Sequence, residues 1–177
     1  MASNKRILSP EGVLSFPSLF EAKLNPNNPA APAKFETMIV FPVGTDLSEL
    51  EALVEEAIVA KFGDDRPANL RNPIRDGSEK ADKLGGPFVA GAKFITVKSQ
   101  FQPGIVDRNT VAVIDPSEIY PGVGARVQLH AFAYDASGNK GVGFGLDNVQ
   151  KIRDNAPLDG RADAASQFTV VEVDDLL

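Results

Sequence analysis

Arg126, His130, Phe132 and Tyr134 fall on alternate positions of the stretch RVQLHAFAY, residues 126 to 134. If the stretch is extended, they share one face with Gln128, and Val127, Leu129, Ala131 and Ala133 make the opposite, apolar face. A solvent-facing strand surface ordinarily carries Thr, Ser, Glu and Lys. A face that begins with a cation and ends in two rings can instead stack on flat π-systems and pair with anions. Catalysis is harder to build from this sequence. His130 is the single histidine and cysteine is absent, which excludes a multi-histidine or thiolate metal centre, a cysteine nucleophile and a disulfide framework. A serine triad would have to form around that one imidazole, and no G-x-S-x-G turn is present. Asp64, Asp65, Asp76, Asp107 and Asp115 lie in stretches that read as loops, with no spacing that selects a cation. The chain is expected to be no enzyme and to carry no metal or cofactor.

The elements that would position the rings read as follows. GVLSFPSLFEAKL, residues 12 to 24, is one strand or two interrupted at Pro17, which implies an edge strand or a bulge. KFETMIVFP is a second strand, ended by Pro42. In DLSELEALVEEAIVAKF, Asp46 and Glu49 have capping-box spacing, Leu47, Leu50, Leu53, Val54, Ala57 and Ile58 form one apolar stripe, and Gly63 follows the last turn, which predicts a helix. Residues 63 to 93 show neither helical nor strand periodicity; a loop of that length in a compact domain is usually functional or mobile, and a plainly solvated loop is the alternative. KFITVKSQF is a further strand, with Ile95, Val97 and Ser99 on one face and Phe94, Thr96 and Lys98 on the other. VAV at 111 to 113 reads as a short strand, followed by a Pro-Gly turn, the RVQLHAFAY strand, a hairpin at Ala136 to Asn139 and a last strand. In GVGFGL there, Gly141, Gly143 and Gly145 alternate with Val142, Phe144 and Leu146. A bare glycine face beside an aromatic one leaves room for something flat, or allows close packing against another piece of backbone. The spacing is that of a strand, not of a phosphate loop.

With 177 residues the chain is expected to form one domain that hides roughly two-thirds of its unfolded surface. Hydrophobic residues at 43% and charged residues at 24% are ordinary for a globular protein and exclude wholesale disorder. No apolar run approaches the roughly 18 residues of a membrane span, and no hydrophobic segment follows Lys5 and Arg6, so neither membrane association nor a signal peptide is expected and the location is expected to be cytoplasmic. The net charge of -6 opposes nucleic-acid binding at first sight. It is unevenly spread, however: the segments 46 to 65 and 154 to 177 carry more than all of it, which leaves the remainder positive and allows a local cationic surface.

These elements give a mainly β architecture: an OB-fold-like five-stranded barrel with one added α-helix, a long loop and an acidic C-terminal tail. Residues 1 to 160 would form the domain and residues 161 to 177 a flexible tail. In such barrels one curved face is a binding platform, where rings stack on bases of any identity and cations follow the phosphates. The candidate contacts for a single strand of nucleic acid are Arg75, Phe94, Lys98, Tyr120, Arg126, His130, Phe132, Tyr134 and Lys140. The alternative is that the rings are covered by the N-terminal segment or the long loop.

The order SFPSLFEA, KFETMIVFP, the helix, PIRDG, GAKFITVKS and IYPGVGARVQLHAFAYDASGNKGVGFGLDNVQKI resembles the phage single-stranded-DNA-binding proteins long catalogued as a domain of unknown function. The resemblance covers most of residues 7 to 160; its most specific parts are RDG, the YPG turn and the AYD to NKG hairpin running into GLDNVQ. It implies an OB fold, single-stranded DNA as the partner, and a host-cell role in coating transiently exposed strands without strong sequence preference. The end VEVDDLL looks like the acidic tails of bacterial and phage single-strand-binding proteins, which compete with DNA and dock replication proteins; Glu172, Asp174, Asp175, Leu176 and Leu177 are the residues concerned. It ends in Leu-Leu where the common pattern has an aromatic, and an acidic end that merely aids solubility is the alternative. Two competing classes are a virion or scaffold protein of the same β-rich build and a metal-dependent nuclease or other enzyme, which would need magnesium-dependent turnover of a nucleic-acid substrate and is not expected.

Overall fold

A strand of twelve residues, Gly12–Lys23 (β2), passes straight through Pro17, and the backbone gives way there. Phe16 takes a φ of 50° and the pairing with Lys34–Phe41 (β3) breaks between Ser15 and Ser18, so the expected bulge is present. The computed structural model that shows this describes residues 5–136, 138–158, 168–171 and 173. β2 follows a two-residue strand, Ile7–Leu8 (β1). After β3 come a helix, Ser48–Phe62 (α1), a short strand, Arg75–Asp76 (β4), a second helix, Ser78–Leu84 (α2), and the strands Lys93–Ser99 (β5) and Gly104–Val106 (β6). The long hairpin Gly124–Ala136 (β7) and Asn139–Arg153 (β8) completes the order.

Hydrogen bonding links β2, β3, β5, β8 and β7 in turn, and β7 returns to β2 through Gly12 opposite Ala125 and Val13 opposite Gly124. The five strands form a ring, antiparallel throughout except between β5 and β8, which run parallel. Period-two alternation fills its interior: Leu14, Ile39, Phe41, Ile95, Val97, Val127, Leu129 and Ala131 are all buried. Each of the larger ones contributes about 1.5–3 kcal/mol relative to an exposed side chain. α1 packs chiefly on β7 with the predicted stripe, since Leu50, Leu53, Val54, Ala57 and Ile58 are buried in the same core cluster. The mainly β, OB-like architecture expected from the sequence is present. Among the described residues no helix is long and apolar enough to cross a membrane.

Three local expectations are corrected. α1 starts at Ser48 with Leu47 in the cap position, so Asp46 stands one residue too early for a capping box; its carboxylate instead accepts the Ser48 N–H at 3.0 Å. That backbone bond, with the Ser48 hydroxyl, holds the Asp46 carboxyl below its usual range. The expected short strand at 111 to 113 is reduced to one bridge, Val106 to Ala112. The segment 63 to 93 is not a bare loop. It carries α2 and β4, and β4 pairs with β5 at Phe94 and Lys93. α2 buries no residue, so no apolar stripe announces it in the sequence.

Candidate nucleic-acid interface

The outward positions of β7 run Arg126, Gln128, His130, Phe132, Tyr134, and β8 places a glycine across from each of the last three. His130 faces Gly145, Phe132 faces Gly143 and Tyr134 faces Gly141. The flat objects lying on the glycines are these side chains themselves. A Cβ on Gly145 would come within 2.2 Å of the His130 ring and one on Gly143 within 2.7 Å of Phe132, so only glycine lets the rings lean across the sheet. At Gly141 the other expected explanation applies as well, because the Arg71 backbone bridges to it and its carbonyl accepts the Val142 N–H. The His130 and Phe132 rings are 6.4 Å apart at 47°.

β5 is the next strand beyond the glycines, with Lys98 paired to Gly145. His130, Phe132 and Tyr134 therefore form one wall of an open groove of about 570 Å³, and Thr96 and Lys98 form the other. Lys34 and Phe101 also line it; Phe101 is 81% exposed. Asp147 sits where the β7–β8 register slips: Gln128 pairs with Asn148 and Leu129 with Leu146, which leaves Asp147 without a partner on β7. This bulge aims a carboxylate into the groove, in keeping with the use of bulges to redirect side chains at functional surfaces. Its Oδ2 accepts from His130 Nδ1 at 2.9 Å and its Oδ1 from Arg6 Nε at 3.1 Å. Lys98 Nζ lies 3.5 Å from Glu36 Oε2, directly opposite on β3. Among the described residues no cluster of carboxylates and histidine is placed to hold a metal ion.

Of the residues singled out from the sequence, the structure brings Lys98, His130, Phe132 and Tyr134 together in this groove. Arg126 shares their face but lies in the next furrow along β7, its Nε donating to Gln150 at 2.7 Å. Lys140 is at the hairpin end, 3.8 Å from Asp135. Arg75 lies outside the groove, donating from β4 to Glu79 of α2 at 2.7 Å. Phe94 is a correction. It points to the same side of β5 as Thr96 and Lys98, but Phe88 covers it edge-on at 5.5 Å and only 2% of it is exposed, in a small cluster with Val40 and Ala92.

Tyr120 also lies outside the groove. Its ring packs against the main core and its hydroxyl donates to Asp154 at 2.9 Å and accepts the Asn155 N–H. Burial and the neighbouring Asp154 push its phenol up. The Lys151 ammonium, 5.9 Å from that ring, pairs with Asp154 at 2.9 Å and Glu118 at 2.5 Å. Burial works against the Lys151 charge, but the two carboxylates outweigh it and keep the group above its usual range. Tyr120 is thus tied to Asp154 and Asn155, the residues that follow β8. Glu172, Asp174, Asp175, Leu176 and Leu177 lie outside the described residues. Sequence reasoning missed Arg6, Lys34, Phe101, Glu36 and Asp147. Lys34 and Phe101 had a signal, each standing at the end of a predicted strand, whereas the Asp147 bulge had none.

A five-strand ring carrying a furrow of rings and cations on its outer face is the build of an oligonucleotide-binding domain. The chain belongs to the family described as the ssDNA-binding protein of Enterobacter phage Enc34, whose sequence profile matches residues 7–177. The resemblance read from the sequence is therefore correct. Among solved structures the chain is similar to a C-terminal truncation of the single-stranded DNA-binding protein from bacteriophage Enc34, with a TM-score of 0.70 at 17% identity over 86% of this chain and 87% of that one. The same phage protein in complex with ssDNA gives a TM-score of 0.67 at 18% identity, covering 86% and 88%. Gp2.5, a single-stranded DNA binding protein encoded by bacteriophage T7, gives 0.65 at 13% identity, covering 90% and 98%. At these identities the likeness establishes the fold. No curated protein sequence matches.

Proposed function

We propose that the protein binds single-stranded DNA, largely irrespective of sequence and without catalysis, in phage DNA replication, recombination or repair within the host cytoplasm. The observation that carries this reading is the row of His130, Phe132 and Tyr134 lying over three glycines on the outer face of the ring, in a chain of the Enc34 ssDNA-binding family. Rings of this kind stack on any base, and the cations Lys34 and Lys98, which line the same groove, would follow the phosphates. Titration of a fluorescent poly-dT oligonucleotide should give tighter binding than a duplex of the same length. Log affinity should fall linearly with log salt, at a slope of about -0.7 for each phosphate neutralised. Equal affinity for duplex and single strand, or indifference to salt between roughly 50 and 200 mM, would sink the reading.

The acidic end segment is proposed to compete with DNA for these cations, through Glu172, Asp174 and Asp175, and to dock replication proteins, with Leu176 and Leu177 contributing. Removing residues 168 to 177 should tighten binding at low salt, and high salt should erase the difference. Equal affinities at low salt would remove the competitor and leave docking intact.

A further inference from the structure

One carboxylate, Asp147, lines the groove proposed for a polyanion, and a second, Glu36, reaches a cation that lines it. Asp147 takes up Arg6 with one oxygen and His130 with the other, and Glu36 holds Lys98. Lys34 is the groove cation with no carboxylate at ion-pair distance among the described residues. Among the described residues, two of the three Lys and Arg side chains that line the groove thus pair with acids, which lowers the positive charge offered to phosphate. Stability does not account for the Glu36–Lys98 pair: at 3.5 Å, with the Lys98 side chain half exposed, it belongs to the class of ion pairs that contribute little to folding. Its cost falls on binding, because a phosphate brought to Lys98 must displace or approach Glu36.

We propose that Glu36, assisted by Asp147, is a built-in competitor for the DNA phosphates: it holds Lys98 in the free protein and yields it when a strand enters. The proposal rests on the single-strand reading above. It makes the rings the main source of affinity and keeps the electrostatic contribution small, so that a coated strand is given up readily. The device lies within the folded domain and is independent of the end segment.

The test is an anisotropy titration of labelled poly-dT with the full chain, at several salt concentrations, for the native protein, Glu36→Gln, Asp147→Asn and Lys98→Ala with and without Glu36→Gln. Glu36→Gln should bind roughly 3- to 10-fold tighter at low salt, the size expected from removing one like charge several ångströms from a phosphate in a largely aqueous setting. Its dependence on salt should be steeper, and the two proteins should converge at high salt as screening weakens the competitor. The gain should shrink in the Lys98→Ala background. Asp147→Asn should also tighten binding, by less, because the same carboxylate orients His130. If the native chain binds and Glu36→Gln binds equally or more weakly at low salt, the competitor is disproved while the single-strand reading stands. If no variant binds single strands, that reading falls and takes the proposal with it. Matching circular dichroism melts exclude a folding defect as the source of either result.

Discussion

Replacing Phe132 and Tyr134 together by alanine is expected to weaken single-strand binding by about 2–6 kcal/mol, at roughly 1–3 kcal/mol for each base stacked on a ring. Phe132 is 41% exposed and Tyr134 half-buried, and both project from the outer face of β7 while Ala131 and Ala133 fill the inner one. Removing the rings therefore takes nothing from the core. The one structural loss is cross-strand contact with Gly143 and Gly141, of the order of 1 kcal/mol or less for each pair. Neither ring carries charge, so the slope of affinity against salt should be unchanged while its intercept drops. A fluorescence titration paired with a thermal melt reads both quantities. A double variant that unfolds would assign the rings to the fold, and one that binds normally would place the bases elsewhere.

The part of this groove that was legible in the sequence is the part governed by alternation. β7 is buried on one face and open on the other, so its period of two translates directly into inward Val127, Leu129 and Ala131 and outward His130, Phe132 and Tyr134. The helix was legible for the same reason, with its stripe of Leu50, Leu53, Val54, Ala57 and Ile58. What failed to be legible depends on contacts between segments distant in sequence. The face of Phe94 follows from alternation, but its cover, Phe88 and Ala92, arrives from a stretch with no period at all. The partners of Tyr120, Lys151 and Asp154, lie some thirty residues on. Asp147 needs a slip in strand register that no local pattern encodes. The place of Asp147 in the groove was therefore invisible from the sequence, and a reading by residue type alone overstates the groove's positive charge.

Phe94 supplies the sharpest separation between a ring that binds and a ring that packs. Phe94→Ala is expected to lower the unfolding free energy by about 3–5 kcal/mol, the range for emptying a buried phenylalanine site. The affinity of the molecules that remain folded should change little. The reason lies in the second small core outside the ring: Phe94 and Val40 on the outer faces of β5 and β3, closed by Phe88 and Ala92. That cluster fastens the segment carrying α2 to the sheet, since β4 contributes just two residues of pairing to β5. Phe88→Ala should cost a similar amount. The double variant should cost less than the sum, because the two rings share one cavity and an edge-to-face contact at 5.5 Å. Urea unfolding of the three variants gives the energies and their coupling, and an oligonucleotide titration well below the melting temperature gives the affinity. Native stability combined with lost DNA binding in Phe94→Ala would mean that the Phe88 segment swings aside and that Phe94 meets a base after all. Strict additivity of the two single effects would mean that the rings are fastened independently and that the segment carrying α2 is held by other contacts.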